Sequence, residues 1–132
     1  MNPLTEEWVQ KAEGDYTVAQ QVLQGQNPVN DAICFHAQQC IEKYLKAWLQ
    51  EADIPFPRTH DLQELLNLIV PVLSAWDVWR EDFSKLSEHA VDPRYPGKFA
   101  TADETAHAMR ICIEVRRTVR EHLRLPLDVP DS

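Results

Sequence analysis

Apolar residues recur at intervals of three and four from one end of this 132-residue chain to the other, and the pattern breaks around prolines. That period places side chains on one stripe of an α-helix, so the chain must bury several such stripes against one another. Trp8, Ala12, Tyr16, Ala19 and Leu23 form the first stripe. Asn2 with Pro3, or Thr5, can start its helix, and Gly25 can end it in a left-handed cap. Asn27 can cap the second helix, with Pro28 in the first helical position, and that helix should run to about Asp53, before Pro55.

In the second helix Ile33, Ala37, Cys40, Tyr44 and Trp48 share one stripe, while Phe35, Ile41, Leu45 and Leu49 widen the apolar surface beyond a single face. A helix this apolar belongs at the centre of the fold and invites a homodimer. The connector IPFPRTH, with two prolines, is too stiff and too poor in donors to be helical. Asp61, with Glu64 three residues on, is an Asp-type capping box ahead of Leu62, Leu65, Leu66, Leu68 and Ile69. Pro71 should break that helix before a further stretch carrying Val72, Trp76, Trp79, Phe83 and Leu86. The segment HAVDPRYPGKFA, residues 89–100, is non-helical, and Thr101 with Glu104 forms a second capping box. The last helix should bury Ala108, Ile111, Cys112, Val115 and Val119 and stop before Pro126. Strand alternation, internal repeats and low-complexity segments are absent from the sequence. The expected fold is all-α: an up-and-down bundle of four principal helices with the third one broken, dimeric, spanning residues 1–125 and followed by a short polar tail at 126–132.

Composition narrows the function classes. With 44% hydrophobic and 26% charged residues the chain is an ordinary globular domain, and its net charge of −8 disfavours a general DNA-coating protein, although a local basic patch can survive in an acidic average. No apolar run approaches the roughly 20 residues that cross a bilayer, and the N-terminus carries acids where a secretion signal needs an apolar region. The chain is read as cytoplasmic, with no membrane partner. Cys34, Cys40 and Cys112 have neither the count nor the spacing of a disulfide framework or a zinc site and read as small buried apolar residues; His36 and Cys40, four apart, amount to half a metal site. No metal and no cofactor is expected, since phosphate-loop, dinucleotide, zinc-protease and nucleophile-elbow motifs are all missing.

The histidines at 36, 60, 89, 107 and 122 are the candidates for proton transfer. His60 sits beside a helix cap, where its ring can bond backbone or face a neighbouring helix, and His122 lies in a last helical turn, where cations are favoured. Arg110, Arg117 and Arg124 are seven apart, and Arg120 should fall on the same side, giving a basic ridge that is either a polyanion surface or a solvated face paired with acids. Arg94 and Tyr95, stiffened between Pro93 and Pro96, set a guanidinium beside an aromatic ring, a pair that can grip phosphate and flank a base, or simply pin the loop through Asp92.

Three segments together resemble a known family. FHAQQCIEKYLKAWL, residues 35–49, is similar to the FxAQQAxEKxLKAxL signature of HEPN domains; THDLQELL, residues 59–66, resembles the family's THDLxxLL; and DPRYPG, residues 92–97, resembles the RYP segment of one HEPN branch. The resemblance implies a helical bundle that dimerises, commonly encoded beside a minimal nucleotidyltransferase in a toxin-antitoxin or nucleotide-handling pair. Many such proteins are metal-independent ribonucleases using an arginine and, after four to six intervening residues, a histidine. Here positions 99–101 are Phe99, Ala100 and Thr101, so that histidine is missing after Arg94. Arg117 and His122 match the spacing, but five positions of a helix turn them about 140° apart. The resemblance therefore implies a dimer that binds a nucleotide or a nucleotidyltransferase, with Lys43, Lys46, Arg58 and Arg94 as phosphate contacts and Tyr95 as a stacking surface. The alternatives are an endoribonuclease in which Arg94 works with His60 or His89 on RNA, and a helical adaptor without a ligand.

Overall fold

In the computed structural model, residues 1–89 and 96–127 are described. They form α1 (Pro3–Leu23), α2 (Asn30–Glu51), α3 (Leu62–Ile69), a 3-10 helix (Ser74–Trp79), α4 (Arg80–His89) and α5 (Ala102–His122), and no strand occurs among them. The chain is an all-helical bundle. The expected break at Pro71 splits the third principal helix into α3, the 3-10 turn and α4.

Long-range side-chain pairs fix the topology. Thr5 of α1 bonds Glu51 at the end of α2, and Asp15 bonds Lys43 further back, so these helices run antiparallel. Cys34 meets Thr105 and Tyr44 meets Arg120, so α2 and α5 run parallel. The 3-10 and α4 arm returns against both: Trp76 lies on Trp48 and His122, and Asp82 bonds His107. This alternation is the up-and-down order, with α2 packed on both α1 and α5.

The core sits around α2, where Ile33, Ala37, Cys40, Ile41, Tyr44, Leu45 and Leu49 are fully buried. Each large aliphatic chain there contributes about 1.5–3 kcal/mol relative to exposure. Ala12 and Ala19 are fully buried on α1 and their small side chains let it approach α2 closely, whereas Leu23 is exposed and Val9 joins the buried face instead. Phe35 is likewise exposed, with its ring edge-on to His36. A ladder of rings, Trp48, Trp76, Trp79 and Phe83, fills the side closed by the broken helix.

Helix ends show where local rules held. Asn2 accepts the Leu4 N–H at 2.8 Å with Pro3 opening α1, and Thr101 and Glu104 form the full reciprocal box on α5. Asp61 caps α3 through the Gln63 and Glu64 N–H groups, but its box does not close: Glu64 accepts from the Thr59 hydroxyl, and the Asp61 N–H turns to Thr59 Oγ1. Nor is Gly25 left-handed, since α1 ends at Gln24 in ordinary right-handed geometry. The second helix begins later than expected, at Asn30 after an extended Val29, leaving Asn27 and Pro28 in the connector. Its first-turn Asp31 accepts the Ala100 N–H at 2.6 Å, which ties the start of α2 to the residue before the α5 cap. Both α2 and α5 end in Schellman turns without glycine. Asp53 (φ 59°) and Arg124 (φ 58°) take the left-handed position, and the Ile54 and Leu125 N–H groups reach back to the Leu49 and Arg120 carbonyls.

Candidate functional site

Glu42 lies on a face of α2 that is wrapped by α1 and by the connector before α3. Its side chain is only 4% exposed, and both oxygens are used: Oε2 accepts from Lys46 Nζ at 3.1 Å, and Oε1 faces His60 Nδ1 at 3.0 Å. Lys46 is itself 7% exposed and sets its ammonium 5.3 Å from the centroid of the Trp8 ring. A buried carboxylate is costly unless fully paired, and here one cation and one imidazole pair it. A carboxylate can only accept, so Nδ1 of His60 carries the proton. That leaves Nε2 as the free nitrogen of a ring whose side chain is 84% exposed. The backbone beneath is held as well, because Thr59 bonds Glu64 and Asp61 caps α3. An exposed imidazole oriented from behind can take or give a proton, or meet an anion.

Two of the resembling segments thus meet in space: Glu42 and Lys46 come from the signature helix and His60 from THDLQELL. Its place beside a helix cap singled out His60, and the family resemblance Lys46, while neither pointed to Glu42 or Trp8. The clue available was a glutamate and a lysine one turn apart in the helix that also carries the widest apolar surface.

The other candidates are placed as follows. Lys43 bonds Asp15 of α1, which also accepts from His36 at 2.8 Å, so that trio clamps α1 to α2. Arg58 is exposed and makes no ion pair or hydrogen bond among the described residues. Arg94 and Tyr95 lie outside the described residues, as does the side chain of His89, the last residue of α4. His107 bonds Asp82, and His122 donates to the Thr118 carbonyl with its ring edge-on to Trp76. Cys40 and Cys112 are buried, and burial, followed by the neighbouring Cys112 thiol, pushes the Cys40 thiol well above its usual range. His36 and Cys40 share no cluster of three potential metal ligands among the described residues.

The basic ridge loses one member. Arg120 is buried, not solvated: it donates to Tyr44 Oη at 3.1 Å and to the Pro126 carbonyl at 2.6 Å, while Arg110 and Arg117 stay exposed. Beside it Arg116 grips Glu13 with two bonds of 2.8 Å, lies over the Tyr16 ring and donates to the Leu127 carbonyl. Tyr44 Oη donates to Glu13 Oε2 at 2.6 Å. Burial pushes the Glu13 carboxyl up, but the bonds from Arg116 and Tyr44 and the charges of Arg116 and Arg120 outweigh it and hold Glu13 below the usual carboxylate range. Tyr44 is driven the other way, chiefly by burial and then by its bond to Glu13. This network locks α1, α2 and α5 together and is structural.

The HEPN domain family matches this chain over residues 5–122. The protein belongs to the HEPN family. Among curated relatives, a protein of Methanocaldococcus jannaschii named "Putative toxin MJ1304" is 34% identical over 96 residues, 67% of this chain. The match takes in 61% of that relative's length. No solved structure matches the chain. As an HEPN protein it keeps the signature helix as the centre of its bundle, and no helix among the described residues is long and apolar enough to cross a membrane.

Proposed function

We propose that this HEPN protein is the toxin-like member of a toxin-antitoxin-like pair, acting as a homodimer that binds a phosphate-bearing ligand, a nucleotide or RNA, with a minimal nucleotidyltransferase as its protein partner. The observation that carries the ligand part is the corner formed by the connector and α2. In a protein of net charge −8, Arg58 is unpaired among the described residues and stands two residues before an exposed imidazole that Glu42 holds in place. Lys46 and Lys43 already have carboxylate partners, so on this reading they build the corner, while Arg58, His60 and Arg94 meet phosphate and Tyr95 offers a stacking face. The family membership and the name of the archaeal relative support the toxin-like role.

Isothermal titration with ATP, GTP and a short RNA tests the ligand part. Binding by the wild type that weakens at least tenfold in Arg58→Ala and in Arg94→Ala is expected, and no binding at millimolar ligand removes it. Growth arrest on expression, relieved by the product of a neighbouring gene, tests the pairing.

A second reading, metal-independent RNA cleavage, is favoured by the Glu42–His60 pair alone. His60 Nε2 would take the proton of a ribose 2′-hydroxyl, with Arg94 stabilising charge on the phosphate. Cleavage of RNA in chelator that disappears in His60→Ala supports it, and unchanged cleavage in that variant refutes it.

A further inference from the structure

Next to the His60 corner, α1 presents Leu4, Glu7, Trp8 and Lys11 at helical spacing, and these residues line a cleft of about 210 Å3 among the described residues. We propose that this cleft takes the purine base of the bound nucleotide, with Trp8 as the stacking platform. The inference rests on the phosphate-binding reading above and adds to it the part of the ligand that gives selectivity.

Trp8 is positioned for this from two sides. Phe56 meets its ring edge-on at 6.1 Å and 61°, and the Lys46 ammonium stands 5.3 Å from its centroid. The indole is therefore held in one orientation before any ligand arrives, so little side-chain freedom is lost on stacking. A cation over the ring draws on its π-density and favours an electron-rich heteroaromatic partner. Phe56 belongs to the same connector as Arg58 and His60, and Lys46 is bonded to the carboxylate that holds His60, so the cleft is linked to the phosphate corner through Phe56 and through Lys46 and Glu42.

The rim supplies the remaining chemistry. Glu7 and Lys11 are one turn apart and exposed, yet they make no ion pair with each other or with any other described residue. A carboxylate accepts from the exocyclic amino group of a purine, and an ammonium meets ribose hydroxyls or a phosphate oxygen. At about 210 Å3 the cleft is many times the roughly 10–15 Å3 that one water needs, so it has room for a ligand-sized group. Leu4, more than half exposed at the mouth, loses contact with water when a ring covers it.

Calorimetric titration of the full chain with AMP and with ribose 5-phosphate tests the assignment. AMP is expected to bind about tenfold or more tighter than ribose 5-phosphate, as base stacking on an aromatic side chain provides. Trp8→Leu should abolish that gap while leaving ribose 5-phosphate binding in place, and Glu7→Gln and Lys11→Ala should weaken AMP several-fold. If Trp8→Leu fails to fold, judged by loss of a cooperative melt, the two rim variants decide the matter, since both side chains are exposed and unpaired among the described residues. Equal affinity for the two ligands, or AMP affinity unmoved by the rim variants, overturns the base site while leaving the phosphate corner standing. If neither ligand binds, both readings fall. A short adenine oligoribonucleotide that binds through the same three residues supports the cleft and assigns its base to RNA.

Discussion

Replacing Glu13 by alanine tests the polar lock that joins three helices. In the native chain this one carboxylate accepts two bonds from Arg116 and one from Tyr44, and it lies 3.5 Å from Arg120. Removing it takes the carboxylate from two guanidinium groups and leaves them neutral acceptors, and Arg120 is almost fully buried. Losing one partner of a buried pair costs about 3–5 kcal/mol, but Glu13 itself is a quarter exposed and water can reach Arg116, so a loss of about 3 kcal/mol at pH 7 is expected. Urea unfolding followed by tryptophan fluorescence measures it. The same carboxylate makes a pH prediction. Because its folded value lies below the ordinary 4.5, its contribution is complete above that pH and is lost as pH falls through the depressed value. Wild type should therefore weaken more steeply below about pH 4.5 than Glu13→Gln does. A loss under about 1 kcal/mol at pH 7, or identical acid limbs for the two proteins, would falsify the lock.

Three further outcomes are expected in the same urea assay. Asp53→Gly and Arg124→Gly should each raise stability by roughly 0.5–1 kcal/mol, because both residues occupy left-handed backbone that favours glycine, and a fall in either would show that the side chain itself anchors the turn. Thr101→Ala should cost about 1 kcal/mol by opening the reciprocal cap of α5, with amide exchange rising at Glu104 and unchanged in α1. Phe83→Ala removes a fully buried ring from the α4 side and should cost about 3–5 kcal/mol; a loss below about 1 kcal/mol would mean the broken helix packs more loosely than its burial indicates.

The local rules read well wherever the deciding atoms lie within a few residues of one another. Asn2, Pro71 and the Thr101–Glu104 box act on their own helix, and the structure shows each doing so. They read less well where a neighbour intervened. Asn27 and Pro28 have the right chemistry for a helix start, yet α2 begins at Asn30, with Asp31 engaged by Ala100 from the far side of the chain. Gly25 has the freedom for a left-handed cap, but the strained positions fell to Asp53 and Arg124, where an apolar Ile54 and Leu125 behind them pack on the core. The corner at His60 was half legible. Its histidine could be singled out, while the carboxylate behind it, Glu42, looked like one more acid on a helix.

What the chain determined by itself is the helix count, the apolar stripes and the family signature, because a 3.6-residue period and a cap are short-range properties written into consecutive residues. Which charged groups face inward was decided by the assembled bundle. Arg116 finds Glu13 across 103 positions and Arg120 finds Tyr44 across 76, so one arginine of an apparent surface ridge ends in the core. Coulomb and hydrogen-bond energies depend on distance in space, and packing α1, α2 and α5 around one another sets those distances.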